Sequence, residues 1–245
     1  MRKTVMAVAL MQGLMMVSGL SQAAALQVSP TTVVFDQAGK SERVWLTASG
    51  DKPVTGQLRI YQWEQRDGKD VLTPSREVIP SPPVMTVPAG ETQLLRLVSK
   101  VPAGPKEKAL RLIVDELPEA GAAVPQGGVQ FLLKYSIPVF IPPAGGALAR
   151  PAPGKLPDGV TFTLRQTGKE SLLVADNARN AHIRLAGLEY VTNAGNVQVL
   201  RPGLLGYVLA AGHQQWTVKT PAGPGYFRAR VNDDTTPASL LSWSR

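Results

Sequence analysis

Side chains able to make or break bonds are few and scattered in this sequence. It has two histidines, His182 and His213, neither accompanied by a serine in a nucleophile-elbow motif. They read as surface or strand-end residues rather than general bases. There is no cysteine, which removes thiol catalysis, thiolate metal sites and disulfides together. The best carboxylate pairs are Asp115-Glu116 and Asp233-Asp234. Neighbours on a strand point to opposite faces, so neither pair makes a general acid/base couple, and structural ion pairing is the expected role. No Gly-rich phosphate loop, Walker motif or His-rich metal spacing occurs. The expectation is a protein that is not an enzyme and needs no metal or cofactor. Two basic residues stand out because their neighbours are apolar: Arg111 in ALRLIVDEL and Lys134 in FLLKYSI. Either each is a solvated charge on an open sheet face, or both point into an interdomain cleft. In the second case they would form an anion site suited to a chain-terminal carboxylate.

The element that would carry Lys134 is the stretch Val129 to Phe140, VQFLLKYSIPVF. Val129, Phe131, Leu133, Tyr135 and Ile137 recur at every second position and share one face of an extended strand. Pro138 closes the regular part. Pro has no N–H for a ladder, so the strand is expected along a sheet edge, at least at its end. A long apolar edge is an aggregation hazard unless something covers it or uses it. It is either an ordinary core strand or a strand offered to another chain.

Residues 1–25 read as a secretory signal. Arg2 and Lys3 form a charged start, Val5 to Leu20 is mostly apolar, and Ser21-Gln22-Ala23 and Ala23-Ala24-Ala25 are small-x-small cleavage sites. The apolar run is too short for a convincing membrane span, and no other stretch approaches one. The mature protein is expected to be exported, soluble and without a membrane span. Without Arg2 and Lys3, 24 basic residues face 18 acidic ones, a net charge of +6. The excess is spread out and aromatics are only 6%. A nucleic-acid groove would need basic residues interleaved with aromatics, so no nucleic-acid partner is expected.

Pro (21) and Gly (23) punctuate the chain about every ten residues, with short Val-, Leu-, Ile- and Thr-rich runs between them. Candidate strands are 26–29, 32–35, 43–47, 56–66, 70–73, 84–87, 92–99, 110–117 and the 129–140 stretch, with Asp67-Gly68 as a hairpin turn. That is the count and spacing of an immunoglobulin-like sandwich. No window sustains a helical period. Residues 142–158, PPAGGALARPAPGKLPD, read as a linker. Strand patterns resume over 160–165, 171–175, 182–191, 197–201, 204–209, 214–219, 226–231 and 240–243. The expected division is a signal peptide at 1–25, a first immunoglobulin-like domain at 26–146 and a second β-sandwich at 147–245.

Five segments together resemble the periplasmic pilus-assembly chaperones of chaperone–usher systems: LQVSPTTVVFD, SPPVMTVPAGETQLLRLV, ALRLIVDELPEA, LLKYSIPVFIPP and VND. The KYSIPVF form looks most like the archaic, spore-coat-U-associated branch. The resemblance covers essentially the whole mature chain. It implies an all-β, boomerang-shaped molecule of two immunoglobulin-like β-sandwich domains joined by a short linker. It implies a periplasmic chaperone that binds pilus or fimbrial subunits one-to-one and delivers them to an outer-membrane usher. The strand lent to the subunit's incomplete sandwich would present Val129, Phe131, Leu133 and Tyr135 to its groove.

The sequence departs from the family pattern at the charged positions. An Arg usual near the first strand is matched by Thr32, a Lys usual near the end of the donor strand by Ile137, and an Arg usual before the following Pro by Ile141. The carboxylate partners of that last Arg are matched by Glu116 and Asp233, the expected interdomain carboxylates. The subunit carboxylate anchor is expected to fall to Lys134 and Arg111. The short 119–128 loop and the absence of Cys argue against the long-loop, disulfide-bearing branch. The competing readings are an exported two-domain β-sandwich adhesin or carbohydrate-binding module, which needs exposed aromatic platforms, and, more remotely, an exported hydrolase.

Overall fold

The computed structural model describes residues 26–36, 39–118, 132–145, 151–167, 170–219 and 222–244. All regular structure among them is β. The first sandwich contains β1 (Leu26–Ser29), β2 (Val33–Val34), β3 (Ser41–Ala48), β4 (Val54–Arg66) and β5 (Lys69–Pro74). It continues with β6 (Val78–Ser81), β7 (Val84–Val87), β8 (Thr92–Ser99), β9 (Lys108–Leu117) and β10 (Lys134–Ile141). One sheet has the order β1-β3-β8-β6; the other has β2-β10-β9-β4-β5, with β7 also paired to β4. Alternation decides which residues meet between them. Val44, Leu46 and Ala48 of β3 and Leu95 and Leu97 of β8 face Leu110, Leu112 and Val114 of β9 and Ile137, Val139 and Ile141 of β10. Burying each such side chain is worth about 1.5–3 kcal/mol.

The second sandwich contains β11 (Val160–Thr167), β12 (Glu170–Asn177), β13 (Ile183–Thr192), β14 (Val197–Val208), β15 (Gly212–Lys219), β16 (Gly225–Val231) and β17 (Ala238–Trp243). Its sheets run β11-β12-β15 and β14-β13-β16-β17. Leu173, Ala175 and Val218 pack against Leu185, Leu188, Tyr190 and Phe227. A third apolar cluster joins the sandwiches: Trp63, Ala109 and Phe140 from the first meet Tyr207 and Leu209 from the second.

The structure differs from the sequence expectations at three prolines. The expected strands 197–201 and 204–209 are one bulged strand, β14, which absorbs Pro202-Gly203 through register shifts against β13. The unexpected strand β6 contains Pro80 and sits at a sheet edge, where a missing N–H is tolerated. The regular part of β10 begins at Lys134 and continues through Pro138 to Ile141 instead of closing there. The Asp67-Gly68 hairpin forms as expected, both residues having positive φ (51° and 69°).

Candidate functional site

β10 pairs with β9 along its whole length, from Lys134 opposite Asp115 to Ile141 opposite Lys108. On its other edge β2 pairs only with Val139 and Phe140, in parallel. Lys134 to Pro138 therefore have no strand partner on that side among the described residues. The open part of the edge lies before Pro138, and the end beyond it is the covered part. Tyr135, Ile137, Val139 and Ile141 share the face turned to the core, and the Tyr135 hydroxyl donates to the Leu26 carbonyl. Leu133 continues the same alternation outside the sandwich, where it is 37% exposed next to exposed Leu132. Its N–H donates to Glu116 Oε2 (3.1 Å), and its carbonyl accepts from the Glu116 N–H (2.9 Å). The ladder thus runs one residue beyond the strand. Val129 and Phe131, expected on this face, lie outside the described residues.

Lys134 and Arg111 share the outer face of the β2-β10-β9-β4-β5 sheet but do not converge. Lys134 is opposite Asp115 and Arg111 is opposite Pro138. Four strand positions separate them, about 13 Å. Lys134 is 64% exposed, and its Nζ lies 3.2 Å from Asp115 Oδ1. Arg59 binds the other oxygen of the same carboxylate. Partial burial alone would push the Asp115 carboxyl up, but the hydrogen bonds and charges of Arg59 and Lys134 outweigh it and hold the group below its ordinary range. Arg111 is only 15% exposed. Its guanidinium carbon sits 3.6 Å from the centroid of the Trp63 ring and 5.8 Å from that of Tyr207. It donates to the Ser136 carbonyl (3.4 Å) and faces Asp70 Oδ2 at 3.9 Å. Burial pushes its pKa down, against the opposing pull of Asp70 and Tyr207. Of the two readings of these cations, Lys134 takes the solvated one and Arg111 the interdomain one.

The expected interdomain carboxylates are placed differently from each other. Glu116 is not at the interface. β9 meets the second sandwich at Ala109, and Glu116 is seven residues farther along, about 24 Å away, where it binds Leu133. Asp233 does border the gap between the sandwiches. It helps line a cleft of about 880 Å³ whose opposite wall includes Pro30, Thr32 and Val34. Its partner, however, is Arg184 of its own domain (3.0 Å). Ile141, where the family pattern has an Arg, is buried in the first core. Two other carboxylates bond across the interface: Asp70, which accepts from the Gln214 side-chain amide (3.4 Å), and Glu107, whose side chain is 6% exposed. Its Oε1 accepts from the His182 N–H (3.0 Å) and lies 2.7 Å from His182 Nδ1. The Glu107 N–H donates to the Asn180 carbonyl (2.8 Å). The His182 ring stacks on Phe140, centroids 3.7 Å apart. On the other flank, the Gln65 side-chain amide donates to the Tyr207 carbonyl (2.8 Å) and accepts from the Leu209 N–H (2.9 Å), as a neighbouring strand's peptide would. Sequence reasoning missed Gln65, Glu107 and His182 in these roles. The only signals were a Glu just before an apolar strand and a His just before another.

This arrangement holds little chemistry. His182 is committed to Glu107, His213 is exposed, and among the described residues no three His, Cys, Asp or Glu side chains are grouped to hold a metal. Of the four Trp, Trp63 is buried and Trp45 alone is exposed, so no platform of exposed Trp forms among the described residues. No helix among the described residues is long and apolar enough to cross a membrane.

Residues 25–147, just over half of the chain, match the family model of the pili and flagellar-assembly chaperones, PapD N-terminal domain. No curated protein matches the chain. Among solved structures, it is similar to the chaperone in the CsuC-CsuE chaperone–tip adhesion subunit complex of archaic chaperone–usher Csu pili from Acinetobacter baumannii. That likeness has 25% identity, covers 89% of this chain and 98% of the other, and has a TM-score of 0.66. The Escherichia coli chaperone DraB matches at 17% identity, with 91% and 99% coverage and a TM-score of 0.57. The SafB chaperone, solved with the SafA pilin of Salmonella enterica, matches at 14% identity, with 90% and 98% coverage and a TM-score of 0.59. These two lower identities bear on the fold alone, which is the paired β-sandwich arrangement already described. The chain belongs to the family of pilus-assembly chaperones.

Proposed function

We propose that this chaperone works without catalysis, in the periplasm after removal of residues 1–25, by lending the edge of β10 to an incomplete β-sandwich of a pilus subunit. The observation that carries the reading is the open edge from Lys134 to Pro138, extended by the exposed Leu132 and Leu133. Strand addition at such an edge supplies main-chain hydrogen bonds, and alternate side chains fill pockets. Val129, Phe131 and Leu133 are the side chains offered; Tyr135, expected among them, is packed against the first core with its hydroxyl on the Leu26 carbonyl and contributes its main chain. A relative at 25% identity, solved in complex with a tip adhesion subunit, supports a subunit as the partner; one open edge per chain would hold one subunit. Delivery of that subunit to an outer-membrane usher completes the proposal.

Arg111 is the carboxylate anchor in this reading. Its guanidinium is already held between Trp63, Tyr207 and Asp70, so little side-chain freedom is lost on binding. Lys134, about 13 Å farther along the same face, contacts the subunit separately, after release from Asp115. The division into a first domain at 26–146 and a second at 147–245 fits strands that end at Ile141 and resume at Val160.

Co-expression with exported β-proteins tests the reading. Wild type should co-purify with a small subunit, and Phe131→Asp plus Leu133→Asp should lose it while keeping its thermal unfolding transition. Equal capture by both would remove the donor-edge reading and favour an exported binding module.

A further inference from the structure

The family assignment says nothing about Glu107 or His182, yet these residues tie the two sandwiches together at a particular place. Glu107 immediately precedes β9. Phe140 is the penultimate residue of β10, and Ile141 and Lys108 form the last pair of the β9–β10 ladder. The Glu107 and His182 contacts therefore grip the root of the ladder whose other end is the open edge. Two further facts give the grip a mechanical meaning. The rings of Trp63, Phe140 and Tyr207 meet in an apolar pivot, and ring packing is not directional as a hydrogen bond is. Directional bonds between the sandwiches lie on its flanks, through Gln65 and the Gln214–Asp70 bond on one side and Glu107 on the other. With both flanks tied, rotation about the pivot is blocked in both senses. With one untied, the sandwiches can swing about the other.

The carboxylates and arginines bordering the same cleft have other duties. Arg184 is on Asp233, Arg179 donates to the Asp158 carbonyl, and Asp234 accepts from the Gly154 and Thr236 N–H groups. Lys108, next to Glu107, is on Glu77. Glu107 is thus the carboxylate available to His182.

We propose that Glu107 and His182, with the His182 ring laid on Phe140, latch the root of the β9–β10 ladder to the second sandwich and so set the direction in which the open edge is offered. They are positioning residues: neither lies on the edge itself. This rests on the donor-edge reading, and the test separates the two. The cysteine-free chain allows spin labels at exposed Lys52→Cys and Gln198→Cys, one in each sandwich. Interdomain distances are measured in the full mature chain by pulsed electron resonance, and subunit capture is measured on the same variants.

Wild type should give one narrow distance distribution. His182→Ala and Glu107→Ala should each broaden it and weaken capture by about tenfold, and the double variant should fall short of the sum of the two, because the ring bond to Glu107 is shared while the His182 N–H bond and the Phe140 stack are not. Glu107→Gln keeps an oxygen where Oε1 stands and should restore both the narrow distribution and capture. Leu133→Asp should lose capture with the distribution still narrow. If His182→Ala and Glu107→Ala keep the narrow distribution, or broaden it with capture unchanged, the latch is wrong. If Leu133→Asp captures as wild type does, the donor-edge reading is wrong, and the distance measurement still judges the latch.

Discussion

At Phe140, β10 is flanked by β9 and β2 and covered by rings from both sandwiches; at Lys134, six residues earlier, it has one neighbouring strand among the described residues. One strand is thus core at one end and open edge at the other. Exposed edges are normally blunted because unpaired main-chain groups recruit other chains. Here the edge is kept, and its far end is fastened by β9, by β2 and by the rings stacked around Phe140. A strand that must be offered has to be rigid where it leaves the core and free where it is used.

The largest effect should come from exchanging the two ends. Phe140→Ala empties a fully buried ring site shared by both domains and should cost about 3–5 kcal/mol in chemical denaturation. Leu133→Ala, just before the other end of the strand, should change stability by less than about 0.5 kcal/mol because the side chain belongs to neither core. Comparable losses at both sites would mean that the two ends do not differ as described.

A smaller effect is expected at the hairpin that reaches the second sandwich. A Cβ on Gly68 would lie 2.4 Å from Gln215 Cγ, and the backbone has φ +69°. Gly68→Ala should cost about 1–2 kcal/mol from backbone strain plus displacement of Gln215. It should also loosen the Gln65 flank, read as a broader interdomain distance. An unchanged distance would show that the Gln65 contacts do not depend on this turn.

The smallest effect lies at the open end. The Asp115 carboxyl is held below its ordinary range in the folded protein, so its contribution is fully present above the unfolded value and is lost as pH falls through and below the ordinary aspartate range. Because Arg59 and Lys134 are largely solvated, that contribution should be under about 1 kcal/mol. Unfolding measured from neutral to strongly acidic pH should show a shallower decline in Asp115→Asn. An identical slope would place the acid sensitivity elsewhere.

Most of the sheet structure was legible in the sequence because strand alternation is local: the periods in 43–47, 92–99 and 110–117 determine which side chains turn inward, whatever they meet. The open edge was legible as an apolar stretch containing Pro, but not which half was open. That depends on where β2 lands, 106 residues earlier in the chain than its β10 partners Val139 and Phe140. The family's motifs identified a chaperone while its charged positions misled. Matching by motif assigned Glu116 to the interface, whereas strand direction puts it at the far end of β9.

Composition, alternation and motif together determined an all-β chain of two sandwiches with one conspicuous strand. Only the tertiary structure decided that Arg111 is half of an interdomain contact and Lys134 a solvated charge, though both are lone cations in apolar strands. It alone paired Glu107 with His182 and Gln65 with Tyr207 and Leu209, across 75, 142 and 144 residues of chain. A contact of that span leaves no periodic trace in either segment, because each side chain answers to a neighbour that folding, not sequence order, brings to it.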